Sequence, residues 1–248
     1  MKPFLLLATR AEDVAADGEY EAFCRYGALA PDQLHRVRLE ERPMPRLDLD
    51  RYSGIIVGGG PFNSSDPDSE KSDTQRRVER EFTTLLDEVV DRDFPFLGAC
   101  YGVGTLGQYA GGVVDRLYGE AVGVATVELT QEGMADPLLA GLPPAFAAYV
   151  GHKEAMRGLP PGAVRLALSP RSPVQMFRLR SHLYATQFHP ELDLAGLTQR
   201  VQVYRDYGYF AADEADDVVT RAAARPVTAP MRVVRNFVDR YGHRPDGG

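Results

Sequence analysis

Residues 94–112 read FPFLGACYGVGTLGQYAGG, and the reading of this stretch decides the fold. Phe94 to Cys100 is a short, almost wholly apolar run, the pattern of a buried strand. A helical pattern follows at once and stops at Gly111–Gly112. Where the two meet, Gly98-Ala-Cys100-Tyr-Gly102 sets a glycine two residues before and two residues after the cysteine. That spacing allows a tight strand-to-helix turn that lifts Cys100 clear of the sheet edge, with strain that the glycines tolerate. A helix N-terminus also favours a thiolate. Cys100 is therefore a candidate nucleophile. The plainer alternative is a small apolar thiol ending a buried strand.

Upstream, PFLLLAT (3–9), LHRVRLE (34–40) and YSGIIVGGG (52–60) read as strands, and residues 17–29 and 73–91 as helices. In the second helix Val78, Phe82, Leu85, Leu86 and Val89 fall at helical spacing, with Asp73 as the expected N-cap. This rhythm predicts an α/β fold with a mostly parallel sheet and helices on both faces. From 113 the texture changes. GEAVGVATVELT, AAYVGH, VRLALS, PVQMFRLR and HLYATQFH are strand-like with little helix between them, which predicts extra, partly antiparallel strands joined by Pro/Gly turns. After Asp193 the chain reads as helix again, in AGLTQRVQVYRDYG, DEADDVVTRAAAR and APMRVVRNFVDRYG, and Pro226 and Pro230 separate the last two. The tail, RPDGG, reads as loose.

The 248 residues suffice for one large domain or two small ones. With 44% hydrophobic and 25% charged residues the composition is that of a folded globular protein. The balance of 28 basic against 35 acidic side chains, net −7, argues against binding to nucleic acid or to an anionic membrane. No apolar run approaches the roughly 18 residues that span a bilayer. MKPFLLLATR reads as a first strand rather than an export signal. With Cys24 and Cys100 as the two cysteines, a reducing, cytoplasmic setting is expected and no disulfide scaffold. The five histidines show neither HExxH nor CxxC spacing, so no metal is expected. No GxxxxGK[ST] loop is present, and no cofactor is expected.

Two further stretches carry chemistry. Gln187-Phe-His189-Pro-Glu191 offers a histidine with a carboxylate two residues on. A base needs an acceptor on one ring nitrogen to work through the other, and positions i and i+2 of extended backbone share a side. A surface His and Glu beside a turn proline is the bland alternative. Ile56-Val-Gly58-Gly59-Gly60-Pro61 ends a strand in glycines whose N–H groups could face a cavity and form half of an oxyanion hole; a flexible Gly-rich loop is its alternative. Gly102-Val-Gly104-Thr-Leu-Gly107 also matches GxGxxG. A dinucleotide site needs an acidic residue at the end of the next parallel strand, and Asp115 and Glu120 do not end a clear one.

Taken together, the GGGP turn, GACYG some 40 residues later and FHPE some 90 further on resemble the class I (triad-type) glutamine amidotransferases, with the amidotransferase domain of GMP synthase and its free-standing relatives as the nearest likeness. The resemblance covers roughly residues 3–193 and implies a three-layer, flavodoxin-like open sheet. It divides the chain into an amidotransferase domain, 1–193, and a C-terminal helical extension, 194–248. It implies Cys100 as nucleophile, His189 as general base and Glu191 as the group that orients the base. Gly60 and Tyr101 match the oxyanion donors. Gly59, Gly104, Val150, Gly151 and His152 match positions beside the substrate. The implied reaction converts glutamine to glutamate and ammonia through a γ-glutamyl thioester.

Gly104 stands where the family usually has a glutamine that helps to hold the substrate, and Gln108 lies one helical turn later, which implies a lost substrate contact and weak binding of free glutamine. No synthetase segment such as SGGxDS is seen, so the implied recipient of ammonia is a separate synthetase or ligase subunit. Two alternatives stand beside this reading. One is a hydrolase of γ-glutamyl amines or peptides with the same Cys-His-Glu set, and the other is a degenerate domain kept for interaction. Elsewhere the bland readings lead. Cys24 reads as a buried thiol, His35 and His243 as surface residues, and Asp213–Asp217 as a solvated helix start. Tyr204, Tyr207, Tyr209 and Phe210 read as packing of a terminal helix rather than a partner patch.

Overall fold

A computed structural model describes residues 1–242; His243 and the RPDGG tail lie outside the described residues. The strands are β1 (Phe4–Ala8), β2 (Leu34–Arg38), β3 (Gly54–Val57), β4 (Phe96–Ala99), β5 (Val113–Asp115), β6 (Glu120–Leu129), β7 (Ala145–His152), β8 (Ala155–Gly158), β9 (Val164–Leu168), β10 (Met176–Leu179) and β11 (Leu183–Thr186). The helices are α1 (Asp13–Gly27), α2 (Asp73–Asp91), α3 (Tyr101–Tyr109), α4 (Gln131–Ala135), α5 (Leu194–Val203), α6 (Ala215–Ala223) and α7 (Met231–Gly242).

Nine strands form one sheet in the order β2-β1-β3-β4-β11-β10-β9-β6-β7. From β2 through β11 every neighbouring pair is parallel. From β11 through β7 every pair is antiparallel. The central strands FLLLA, GIIV, FLGA and LYAT are buried at every position, as strands covered on both faces must be. Alternation along β1 feeds both layers. Phe4 and Leu6 pack with Phe23 of α1 and with Val233, Val234, Phe237 and Val238 of α7. Leu5 and Leu7 pack on the other face with Val78, Phe82 and Leu86 of α2 and with Val103 and Leu106 of α3. Truncating Phe82 to Ala in that layer costs about 3–5 kcal/mol. A third cluster joins Leu197 and Val201 of α5 to Val218 and Ala222 of α6 and to Tyr149 of β7.

The differences from expectation are local and have causes. Ser72, not Asp73, caps α2, its side chain accepting from Gln75 N at 3.1 Å; Asp73 sits in the first turn, where it favours the helix dipole. Helix α1 begins at Asp13, four residues before the expected start. The two-stranded β5–β8 sheet and the one-turn α4 were not legible, being too short for a periodicity to register. Among the described residues, no helix is long and apolar enough to cross a membrane.

Candidate active site

The parallel strands all end at one edge, where open α/β sheets gather their sites. Cys100 closes β4 there and heads α3 with φ 53° and ψ −86°. Such a conformation costs an L-residue about 1–3 kcal/mol. Two backbone bonds hold it, from Cys100 N to Thr186 O of β11 at 2.7 Å and from Val103 N to Cys100 O at 2.9 Å. The flanking glycines serve a purpose other than torsional freedom, since the strained torsion belongs to Cys100 itself. A Cβ on Gly98 would stand 2.7 Å from the Gly102 Cα, so these glycines permit the close approach of strand and helix.

His189 follows β11, and its N–H donates to Tyr149 O of β7 at 3.0 Å. Residues 187–191 form a turn rather than the extended run expected of an i, i+2 pair. The turn still aims Glu191 at the ring, with His189 Nδ1 and Glu191 Oε1 3.0 Å apart. Gly59 marks where the parts converge. A Cβ added there would lie 2.7 Å from His189 Cε1 and 3.5 Å from Cys100 Cβ.

Around this pair lies a buried ionic network invisible in the sequence. Arg200 of α5 reaches Glu191 Oε1 through Nη2 at 2.8 Å and His189 Nδ1 through Nη1 at 3.1 Å. Glu19 Oε1 of α1 accepts from Arg10 Nε at 2.9 Å, from Gly59 N at 3.1 Å and from Arg200 Nη2 at 3.4 Å. Arg10 also donates to the Tyr204 hydroxyl at 3.0 Å. The Gly59 N–H thus faces Glu19, and its neighbour Gly60 lines the space beside Cys100. The Tyr101 N–H is among the first of α3, which have no partner within their own helix.

Burial decides the titrations. It pushes the Cys100 thiol up to about 12, with Arg10 and Arg200 pulling down and Glu191 and Glu154 adding to the rise. Loss of water thus works against the thiolate that the helix N-terminus favours. Burial likewise lowers the His189 pKa, and Arg200 and Arg10 lower it further against the pull of Glu191. Burial alone would raise Glu191, but the His189 ring and the Arg200 guanidinium overcome it and hold the carboxyl well below the usual carboxylate range. Together these shifts favour a neutral thiol, a neutral imidazole and an ionised carboxylate.

Cys100 lies between two recesses. The first is largely apolar, walled by Val122, Leu192, Leu197 and Val201 with His189 and Arg200, and roofed by Tyr204, Tyr209 and Phe210. The second contains Gly60, Tyr101, Gly104, Gly151, His152 and Glu154. Val150 lines the first and Gly151 both. The space beside Gly104 is taken by other side chains, since a Cβ there would lie 2.4 Å from Ser64 Oγ and 2.7 Å from Glu154 Oε1. Tyr204, Tyr209 and Phe210 line the first recess, and Tyr207 packs edge-on against Tyr204, so this segment does more than pack a terminal helix. Asp115 is engaged by Arg157 and Glu120 by His152 and Gln175, which leaves neither placed as the ribose acid of a GxGxxG site. Among the described residues no group of three or more His, Cys, Asp or Glu could hold a metal ion.

Arg10, Glu19, Arg200 and Glu154 were missed in the sequence, and Tyr209 reads there as packing. Arg10 alone carried a signal, a cation directly after a buried strand at the site edge. The other candidates behave plainly. His182 contacts the Tyr241 hydroxyl through Nδ1 at 3.1 Å, His35 is exposed, and Cys24 packs partly buried against the core, where burial raises its pKa.

Comparison with known proteins identifies the family. The profile of the family described as glutamine amidotransferase class-I matches residues 23–202. The GMP synthase [glutamine-hydrolyzing] of Thermomicrobium roseum is 34% identical over 139 residues, covering 56% of this chain and 23% of that protein. Its counterpart in Parasynechococcus marenigrum is 32% identical over 184 residues, covering 72% of this chain and 31% of that protein. The chain thus spans less than a third of the length of these curated relatives. A glutamine amidotransferase from Thermotoga maritima, 19% identical, superposes with a TM-score of 0.78 over 98% of this chain and 100% of its own, a likeness of fold. The family match takes in the elbow, the His189–Glu191 turn and Arg200 in a single run, and the chain belongs to the class I glutamine amidotransferases.

Proposed function

We propose that this protein hydrolyses the side-chain amide of glutamine, with Cys100 as nucleophile, His189 as general base and acid, and Glu191 as the group that orients it. One observation carries the reading: a cysteine on a strained elbow opens onto the same recess as a histidine whose Nδ1 lies 3.0 Å from a buried carboxylate. With the Nδ1 proton donated to Glu191, Nε2 is the proton acceptor, and Arg200 Nη1, which can only donate, then stands beside Nδ1 as a neighbouring charge rather than as a hydrogen-bond donor to it.

Because thiol and imidazole both rest neutral, the proton moves as the bond forms. Cys100 Sγ attacks the amide carbon while its proton passes to His189 Nε2. The carbonyl electrons shift to oxygen, which the N–H groups of Gly60 and Tyr101 receive. His189 then protonates the departing nitrogen, the C–N bond breaks and ammonia leaves a γ-glutamyl thioester. Water attacks that thioester with His189 as base, the C–S bond breaks, and glutamate departs with the thiol restored. The ammonia goes to a separate synthetase or ligase. The matched GMP synthases, named as glutamine-hydrolysing, support this reading, since they carry most of their length outside the matched stretch.

A second reading rests on the apolar recess beside His189. Ammonia needs no such wall, whereas an apolar amine leaving group would fill it, as in hydrolysis of γ-glutamyl amides. Ammonia release from glutamine, measured beside amine release from a series of γ-glutamyl amides, separates the two. A higher kcat/KM for glutamine supports the amidotransferase, and a higher value for an N-substituted amide supports the hydrolase. Turnover of neither, alone or with a candidate synthetase, overturns both.

A further inference from the structure

Three consecutive glycines follow β3 beside Cys100, and each makes room for a different neighbour. A Cβ on Gly58 would lie 2.1 Å from Glu19 Oε2, one on Gly59 2.7 Å from His189 Cε1, and one on Gly60 2.2 Å from Thr9 Oγ1. The loop thus packs at once against α1, the base and the end of β1, as only residues without side chains allow. Its polar backbone groups are accounted for one by one. Gly58 N donates to Leu7 O at 3.1 Å, and Gly59 N to Glu19 Oε1 at 3.1 Å. The Thr9 hydroxyl donates to Gly59 O at 3.3 Å. Pro61 has no N–H to give. Among the described residues no group accepts from Gly60 N, so it is the free donor of this loop, and Gly60 lines both recesses beside Cys100.

A trans peptide sets its N–H opposite its C=O, so with Gly59 O held by Thr9 the Gly60 N–H is turned away from β1. Glu19 fixes the other end of Gly59. Thr9 is fully buried and Glu19 nearly so. The contacts of Glu19 gather on one oxygen. Oε1 accepts from Gly59 N, from Arg10 Nε at 2.9 Å and from Arg200 Nη2 at 3.4 Å, while Oε2 has no hydrogen-bond partner. A buried oxygen left bare has lost its water without replacement, so an unconstrained carboxylate would share these donors between its two oxygens. Here Oε1 is held where the loop and Arg200 meet. Arg200 Nη2 in turn reaches Glu191 Oε1 at 2.8 Å. One carboxylate oxygen therefore links the loop that carries the Gly60 donor to the carboxylate beside His189.

We infer that Thr9 and Glu19 are positioning residues for the oxyanion donor: they grip Gly59 by its carbonyl and its N–H so that Gly60 N–H stays presented beside Cys100, and Glu19 ties that loop through Arg200 to the group that orients the base. The inference rests on the amidotransferase reading and deepens it. The alternative is that Thr9 and Glu19 serve only to hold β1 and α1 in the fold.

The test separates binding of the ground state from stabilisation of the oxyanion. Thr9→Val, which removes only the hydroxyl, should lower kcat by about 10- to 100-fold, since a displaced donor costs somewhat less than a deleted one. Thr9→Ser, which keeps the hydroxyl, should stay close to wild type. Glutamine binding, measured by calorimetry on Cys100→Ala with and without Thr9→Val, should not change. The γ-aldehyde of glutamate reads the donor without turnover. Cys100 Sγ adds to the aldehyde carbon, the carbonyl electron pair moves to oxygen and the thiol proton follows it, giving a thiohemiacetal whose oxygen meets Gly60 N–H. Its inhibition constant should rise in Thr9→Val in step with the fall in kcat. Equal weakening of aldehyde and glutamine, or a Thr9→Val enzyme with wild-type kcat, overturns the inference. Glu19→Gln should lose more than Thr9→Val, and the two together little more than Glu19→Gln alone, because both act on Gly59; additive losses overturn the shared grip. Amide hydrogen exchange, read by NMR, keeps the inference apart from the amidotransferase reading. Gly59 N–H protected and Gly60 N–H unprotected, with the Gly59 protection falling in Thr9→Val, supports it even if wild-type enzyme releases no ammonia. Gly60 protected as well as Gly59 overturns it even if ammonia release is brisk.

Discussion

Arg200 Nη2 lies 2.8 Å from Glu191 Oε1, so a helix beyond the last strand supplies the counter-charge for the carboxylate beside His189. Glu191 is fully buried and Arg200 nearly so, and removing one partner of a buried pair leaves the other uncompensated. Arg200→Met should lower stability by about 3–5 kcal/mol, read as a fall in the denaturation midpoint. An unchanged midpoint would show that the network is held by other means.

The same substitution has a pH signature. Arg200 helps to keep the His189 pKa below its ordinary value, so its removal raises that pKa. The base is then lost to protonation at a higher pH, and the acid limb of the kcat/KM profile moves toward neutrality. In the wild type that limb should fall below the ordinary histidine range. Movement of the limb to lower pH in Arg200→Met would contradict the electrostatic account.

His189→Ala should lower kcat by roughly four to six orders of magnitude, since members of a catalytic set act together. Cys100→Ala should be equally inactive, and the double variant should lose little more than either single one. Additive losses in ammonia release would mean that the two side chains do not share a step.

Reactivity of Cys100 toward a small alkylating agent should be slow at neutral pH and keep rising through about pH 9.5, because a thiol pushed up to about 12 has no plateau below that pH. A diazoketone that mimics glutamine should nevertheless label it rapidly, as the reagent brings its own carbonyl to the site. Pre-formed thiolate, seen as an alkylation rate already flat between about pH 6 and 8, would sink the neutral-pair mechanism.

The elbow makes a prediction about stability. At φ 53° a Cβ is a burden and glycine bears none. Cys100→Gly should therefore be more stable than Cys100→Ala by about 1 kcal/mol, a few degrees in thermal midpoint, though both are inactive. Equal midpoints would place the strain elsewhere.

Much of this molecule could be read from local pattern. Continuous apolar runs such as FLLLA and FLGA declare strands covered on both faces, and the spacing of Val78, Phe82 and Leu86 declares a helix lying on one of them. Gly98, Cys100 and Gly102 mark the elbow because its geometry spans only five residues, and His189 and Glu191 are near enough in sequence for their contact to be guessed. What the sequence could not supply were relations between distant parts of the chain. Glu19 meets Arg200 across 181 positions, and Ser64 meets Glu154 across 90, only because parallel strands and their crossovers bring their ends to one edge. The charge state of Cys100 also belongs to the tertiary structure. The helix N-terminus that favours a thiolate is a local feature, but the burial that opposes it comes from the loop at Gly60, the strand β7 and the segment around Tyr209, which line the recesses beside Cys100.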